Sequence, residues 1–84
     1  GHQGWWQAAI VNSAAENPLP EPLTNRELEV LNLIAVGHRN QAIADSLHIA
    51  LTTTKAHIRH IYEKMAVQSR TQAVARGREL GLIQ

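Results

Sequence analysis

Residues 40–65 have the sequence NQAIADSLHIALTTTKAHIRHIYEKM, which predicts two helices joined by a very short connection. Asn40 is the N-cap candidate of the first helix, which covers residues 41–47. Only three or four residues around position 49 separate it from the second helix, at about residues 51–65. A short helix, a tight turn and a longer helix form the outline of a helix-turn-helix.

The longer helix has one apolar face and one polar face. At about 100° per residue, its apolar face carries Thr54, Ile58, Ile61, Tyr62 and Met65. The opposite face carries Thr52, Ala56, Arg59, His60 and Glu63, with Lys55 on its flank. We therefore expect the first face to pack on the core and the second to be presented to a partner. Because many helical hairpins share this outline and bind no nucleic acid, the outline alone does not establish DNA binding.

The flanking sequence adds two more helices, each with a start signal and a stop signal. Residues 24–27, Thr-Asn-Arg-Glu, are a capping box, and the helix that they open ends before Gly37, which supplies a left-handed position. Residues 69–72, Ser-Arg-Thr-Gln, are a second capping box, and their helix extends to about Leu80, where Gly81 closes it. No segment has the alternation of a strand. The predicted fold is all-α, a four-helix domain that contains a helix-turn-helix.

Size and charge restrict the class of protein. The chain has 84 residues and a formal net charge of +1, which fits one small domain and gives no strongly basic signal for nucleic acid. The charge is divided unevenly, since residues 1–50 carry two Lys or Arg against five Asp or Glu, or −3, and residues 51–84 carry six against two, or +4. No apolar run approaches bilayer length, so we expect a cytoplasmic protein without membrane contact.

The sequence offers little chemistry for catalysis. It contains no cysteine, and no nucleophile–base pair, glycine-rich phosphate loop or carboxylate pair stands out. Glu27 and Glu29 are explained by the start of a helix. His57 and His60 lack an obvious third ligand, so we predict no metal site. The protein is therefore predicted not to be an enzyme and to need no cofactor.

Residues 1–20 differ in composition from the rest of the chain. Gly1 and His2 resemble the remnant of an expression tag, and residues 5–11, WWQAAIV, have the composition of a short helix. The three prolines of residues 17–22 stand at alternate positions, which favours an extended, semi-rigid connector. We expect a linker from an upstream domain here, or a disordered tail, and a folded domain over residues 21–84.

The folded region opens with residues 23–31, LTNRELEVL. At fixed spacings these are followed by Gly37, Asn40, Ile43, Ala44, Leu47, Ile49, Thr53, Lys55, His57, Ile61, Lys64 and Arg70. This pattern resembles the LuxR-type helix-turn-helix family, also called the NarL/FixJ type, over residues 23–84 without a gap. The approach PLPEPLT and the ending RELGLI also look like the C-terminal domains of large MalT-like regulators, in which a sensor precedes the DNA-binding domain.

The resemblance implies a function. It predicts the C-terminal effector domain of a bacterial-type transcriptional regulator, which binds double-stranded DNA sequence-specifically with the helix of residues 51–65 in the major groove. It also implies a homodimer on DNA and a contact with RNA polymerase as partners.

Roles for single residues follow from the same resemblance. Base contacts are assigned to Lys55, Ala56 and Arg59, and the two cations lie one turn apart, where they can reach guanine O6 and N7. Expected phosphate contacts are Asn40, Thr52, Thr53, His60, Ser69, Arg70 and Thr71. The expected dimer contacts are Val74, Gly77 and Arg78.

Three positions depart from the family pattern, Ala50, Thr54 and Met65, of which Met65 replaces a leucine of similar size. Ala50 stands where the family usually has serine as the N-cap of the recognition helix, so we expect Thr52 or water to supply the cap. Thr54 replaces a valine, and its buried hydroxyl needs a backbone acceptor. We also expect Glu27 and Arg70 to form an ion pair within the domain.

Two other functions share these features. A module similar to the fourth region of bacterial sigma factors uses a related helix-turn-helix, and a protein-docking helical domain would have the same helices without a nucleic-acid partner. The residues 71–74 and 79–83 fit the LuxR-type proteins better than the sigma factors. Weak binding to DNA that does not respond to salt would instead favour the protein-docking domain.

Overall fold

The computed structural model describes residues 19–84, and these form four α-helices and no strand. The helices are α1 (Asn25–Ala35), α2 (Asn40–Leu47), α3 (Leu51–Met65) and α4 (Arg70–Glu79). The all-α prediction and the order of the helices are confirmed. The tag remnant, the predicted helix at residues 5–11 and the start of the proline-rich connector lie outside the described residues.

The first helix, α1, is the centre of the domain, because α2, α3 and α4 all pack against it. Its start is the predicted capping box, in which the Glu27 N–H donates to Thr24 Oγ1 at 3.1 Å and the Thr24 N–H donates to Glu27 Oε1 at 2.9 Å. Val30 and Leu31 are fully buried on two sides of the helix. A helix that is covered from several directions provides the base on which the helix-turn-helix is mounted.

The hydrophobic core joins all four helices. Its largest fully buried apolar side chains are Leu31, Ile43, Ile61, Met65 and Val30. Ala73 of α4 and Ile83 close the core from the last helix, and Leu19 and Leu23 extend it into the segment that precedes α1. The apolar part of this preceding segment is therefore packed on the domain.

The start of α2 differs from the prediction, by one residue. The N-cap is Arg39, not Asn40, and it makes no side-chain capping bond, while Asn40 is the first helical residue. The helix ends at Leu47, as predicted, and its C-cap His48 has a left-handed φ of 57° although it is not glycine. The turn to α3 is short because Ala50 already serves as the N-cap of the next helix.

The last helix, α4, has half of the predicted capping box. Ser69 Oγ accepts from the Gln72 N–H at 3.2 Å, but the Gln72 side chain accepts from the Gln68 N–H instead of returning to Ser69. Gly77 faces the core, where a Cβ would lie 3.1 Å from Ile83 Cγ1 and 3.2 Å from Leu31 Cδ2. Glycine thus lets α4 approach α1 closely. No helix formed by residues 19–84 is long and apolar enough to cross a membrane.

Candidate nucleic-acid interface

The predicted recognition helix, α3, has the two faces that its sequence predicts. Thr54, Ile58, Ile61 and Met65 are buried, and Tyr62 is partly buried beside them. The Thr54 hydroxyl finds the backbone acceptor it needs, because it donates to the Ala50 carbonyl at 3.2 Å. These contacts fix the rotation of the helix about its axis and so fix which residues lie outward.

The outward face carries the three predicted base-contacting residues. Lys55 and Arg59 are exposed, and Ala56 between them is partly buried. Four residues along a helix correspond to about 6 Å, so both cations lie on one turn of the surface. Within residues 19–84 neither forms an ion pair or a side-chain hydrogen bond with the protein. Both cationic groups are therefore available to an acceptor outside the domain.

The predicted phosphate contacts on α3 are also on the surface. Thr52 and Thr53 are exposed in the first turn of the helix. No side chain caps this turn within the described part of the chain, so Thr52 does not replace the serine that the family usually has at position 50. His60 is exposed further along, and its Nδ1 lies 3.9 Å from Glu27 Oε2 of α1.

Glu27 pairs with Lys64, so the predicted pair between Glu27 and Arg70 is wrong. Lys64 Nζ donates to Glu27 Oε1 at 2.7 Å and to the Pro22 carbonyl at 3.2 Å. The side chains of Glu27 and Lys64 are only 5% and 13% exposed. The pair joins α1, the end of α3 and the preceding segment, and it thereby holds the recognition helix against the domain.

The Glu27 carboxyl has a lowered pKa. Burial raises its pKa, but the hydrogen bond from Lys64, the backbone hydrogen bond from Thr24 and the charges of Lys64 and His60 together outweigh burial. Glu27 is therefore ionised in the folded domain, and its charge is balanced by Lys64.

Arg70 is used inside the domain at another place. Its Nη1 donates to Asn40 Oδ1 at 3.0 Å, and its Nη2 donates to the His38 carbonyl. Two of the predicted phosphate contacts, Asn40 and Arg70, thus contact each other. Ser69 and Thr71, on either side of Arg70, are exposed.

The predicted dimer contacts divide into surface and interior residues. A shallow groove of about 380 Å³ is lined by Ile34, Arg70, Thr71, Val74, Ala75 and Arg78. Val74 is partly buried there, and exposed Arg78 donates from Nε to the Gln84 carbonyl at 3.0 Å. Gly77 is buried under Ile83 and Leu31, so it lies inside the domain and presents no surface to a second copy.

Sequence reasoning missed the role of Lys64. The residue belongs to the pattern of the family resemblance, but its charge gave no indication of a partner 37 residues away. A usable signal is its position between Ile61 and Met65, both buried, which places the start of its side chain near the core. Within residues 19–84 no group of three or more His, Asp or Glu side chains is arranged to hold a metal ion.

Comparison with known families gives one match over most of the domain. Residues 21–76 match the family described as bacterial regulatory proteins, luxR family. Of the three functions considered above, this match supports the LuxR-type domain over the sigma-factor-like module and the protein-docking domain.

Individual relatives agree with the family match. The response regulator protein VraR of Staphylococcus aureus is 50% identical over 66 residues, which are 79% of this chain and 32% of that protein. The chain therefore spans about a third of the length of the curated relatives it matches.

Two solved structures have the same fold. That of the transcription factor GerE superposes with a TM-score of 0.70 and 31% identity, over 74% of this chain and 92% of GerE. The Vibrio cholera VqmA–ligand–DNA complex contains a chain with a TM-score of 0.66 and 28% identity, over 95% of this chain and 34% of VqmA.

Proposed function

Because the chain belongs to the luxR family of bacterial regulatory proteins, we propose that it is the effector domain of a cytoplasmic transcriptional regulator and places α3 in the major groove of its operator. The observation that carries this assignment is the pair Lys55 and Arg59, two exposed cations on one turn without protein partners in the described part of the chain. An unpaired cation keeps its full capacity to bind phosphate or guanine, since no internal contact has to be broken first.

The proposed contacts to bases come from three neighbouring residues. Arg59 donates to guanine O6 and N7 with its planar fork, and Lys55 donates to a base or a phosphate at one turn's distance. Ala56 is small enough to let the helix backbone approach the base pairs, and its methyl group meets a thymine methyl.

Contacts to the backbone position the helix. Thr52 and Thr53 lie at the start of α3, and His60 lies on the same outward side further along. Ser69 and Thr71 are exposed at the start of α4, where free amide groups and the positive end of the helix dipole suit a phosphate oxygen. These contacts set register and orientation, whereas the three base-contacting residues supply specificity.

A second copy of the domain is part of the proposal. Val74 and Arg78 border the groove on α4, so we assign the pairing surface to them. Pairing would double the number of bases contacted and compensate for a net charge of only +1, which gives modest attraction to DNA in general. We also propose a sensor domain before this one, as in the MalT-like regulators that the sequence resembles, and a contact with RNA polymerase.

The test is DNA binding by Lys55→Ala and Arg59→Ala, titrated at several salt concentrations. The probe is a duplex that the protein itself enriches from a random library. Arg59→Ala should lose about 1 to 3 kcal/mol on this duplex and discriminate less against altered ones. Lys55→Ala should lose discrimination at a second base pair, as expected for a base contact. A uniform loss over all duplexes, with the slope of log K against log salt reduced by about 0.9, would instead mean that Lys55 contacts a phosphate.

Arg26→Ala is the matched control. Arg26 is an exposed arginine on α1 that pairs with Glu29 at 3.6 Å, so its loss changes the net charge equally without touching α3. If both α3 variants bind like this control, the assignment of the groove face is wrong.

A further inference from the structure

Arg70 joins two parts of the domain that are distant in the sequence. It is the first residue of α4, and its partners Asn40 and His38 precede it by 30 and 32 residues. Its two amino groups are used separately, Nη1 for the Asn40 side chain and Nη2 for the His38 carbonyl. A planar fork that meets two acceptors holds their relative position more firmly than a single bond does.

The start of α2 depends on this contact. The helix has only eight residues, and its N-cap Arg39 makes no side-chain capping bond. Its buried residues, Ile43 and Ala44, lie in the middle of the helix and hold that part on the core. Asn40 lies three residues before Ile43, at the free end of the helix, and the hydrogen bonds from Arg70 join this end to α4.

The contact also fixes the orientation of the Asn40 amide. A guanidinium group only donates hydrogen bonds, so the Asn40 oxygen has to face Arg70 and the Asn40 NH₂ group has to face the other way. Within residues 19–84 that NH₂ group donates no hydrogen bond, so both of its hydrogens can bind an acceptor outside the domain. Asn40 is partly exposed, so a phosphate oxygen can reach it.

We propose that Arg70 is a positioning residue for DNA binding, which braces the first turn of α2 and turns the Asn40 NH₂ group toward a phosphate. In a helix-turn-helix the first helix crosses the DNA backbone, so its start is where such a contact is needed. Arg70 therefore acts through Asn40 and does not itself bind phosphate. The inference rests on the proposed function, since it assumes that α3 occupies the major groove.

The experiment measures affinity and salt dependence for Arg70→Ala, Asn40→Ala and the double variant, on the duplex that the wild-type protein enriches. A brace predicts about tenfold weaker binding for Arg70→Ala with an unchanged salt slope, because no phosphate contact of Arg70 is lost. It also predicts that Arg70→Ala loses less affinity in the Asn40→Ala background than in the wild-type protein, because Arg70 acts in part through Asn40 and in part through the His38 carbonyl. A salt slope reduced by about 0.9 for Arg70→Ala would overturn the proposal.

Two further variants separate bracing from charge and from folding. Arg39→Ala removes the same charge from the residue before Asn40. Equal effects of Arg39→Ala and Arg70→Ala on DNA binding would show that charge alone matters and would overturn the proposal. Arg70→Lys keeps the charge but lacks the planar fork, so a brace predicts binding nearly as weak as that of Arg70→Ala. If Arg70→Lys retains wild-type affinity, the proposal is overturned. This test holds even if Arg70→Ala does not fold.

A role in stability alone is distinguished by thermal unfolding. If Arg70→Ala unfolds at a lower temperature but its folded fraction binds like the wild type, Arg70 is structural and the proposal fails. Unchanged binding of Lys55→Ala and Arg59→Ala would instead refute the groove assignment. The hydrogen bond between Arg70 and Asn40 is tested separately, by the NMR signals of the Asn40 side-chain amide in the free protein.

Discussion

Glu27 has several partners in the structure although its sequence context explains only one of them. The capping box predicts its bond to the Thr24 N–H, which is present at 2.9 Å. The contact with Lys64, at 2.7 Å, depends on how α3 packs on α1 and has no local signal in the sequence. A buried carboxylate and a partly buried cation are costly to separate, because removing the cation leaves an uncompensated charge. One residue thus fixes both the start of α1 and the position of α3.

The lowered pKa of Glu27 predicts acid sensitivity. In the unfolded chain the Glu27 carboxyl takes up its proton near its ordinary pKa, and in the folded domain it does so only at lower pH. The contribution of Glu27 to the free energy of unfolding should therefore be complete above its ordinary pKa. The free energy of unfolding should decrease as pH falls from the ordinary pKa to the folded-state pKa. Urea unfolding at a series of pH values measures this dependence.

Glu27→Gln should flatten the acid dependence, because glutamine has no proton to take up. Glu29→Gln is the control, since Glu29 is exposed in the same helix and its replacement should leave the dependence as in the wild type. Equal acid dependence in the wild-type and Glu27→Gln proteins would contradict the role of Glu27.

Helix starts were predictable where a side chain caps them, and less so elsewhere. Thr24 and Ser69 announce α1 and α4 because their hydroxyl groups accept backbone N–H groups. The ends of α2 and α3, at His48 and Ala66, have φ values of 57° and 56° without glycine. A left-handed residue other than glycine is imposed by the packing of the following segment, so local sequence carries little information about it.

The uncapped start of α3 leads to a prediction at the level of this element. Ala50 has the extended backbone of an N-cap, with φ −68° and ψ 152°, and it is exposed, so a serine fits without displacing a neighbour. Ala50→Ser should raise the free energy of unfolding by about 1 kcal/mol, because its hydroxyl can accept from a free amide of the first turn. Chemical denaturation measures the difference.

Ala75→Ser makes the same chemical change in the interior of α4. Serine is a weaker helix former than alanine, so this variant should be less stable by about 0.5 kcal/mol. Changes of the same sign in both variants would contradict the assignment of Ala50 as an uncapped N-cap.

The whole molecule was predictable in its architecture and less in its long-range polar contacts. Periodicity and helix signals predicted four helices in the right order. They also predicted correctly that the polar face of α3 lies outward. The pairs of Glu27 with Lys64 and of Arg70 with Asn40 span 37 and 30 residues. A charged residue in a sequence has many possible partners, and only the packing of the helices selects one.

The distribution of charge has a meaning at this scale. Residues 51–84, with a net charge of +4, contain α3 and α4. Lys64 and Arg70 of this segment form contacts inside the domain. Lys55 and Arg59 are therefore the cations of α3 that remain for DNA. Few free cations imply a shallow dependence of affinity on salt and leave most of the discrimination between sequences to base contacts.

Selection of binding sites from a random duplex library, by the wild-type and Arg59→Ala proteins in parallel, tests most directly whether α3 contacts bases through Lys55, Ala56 and Arg59. We expect the wild-type protein to enrich one motif with two related half-sites. We expect Arg59→Ala to enrich the same motif with the preference lost at one base pair of each half-site. Identical motifs from both proteins, or DNA binding by the wild type without any enriched motif, would contradict this function for α3.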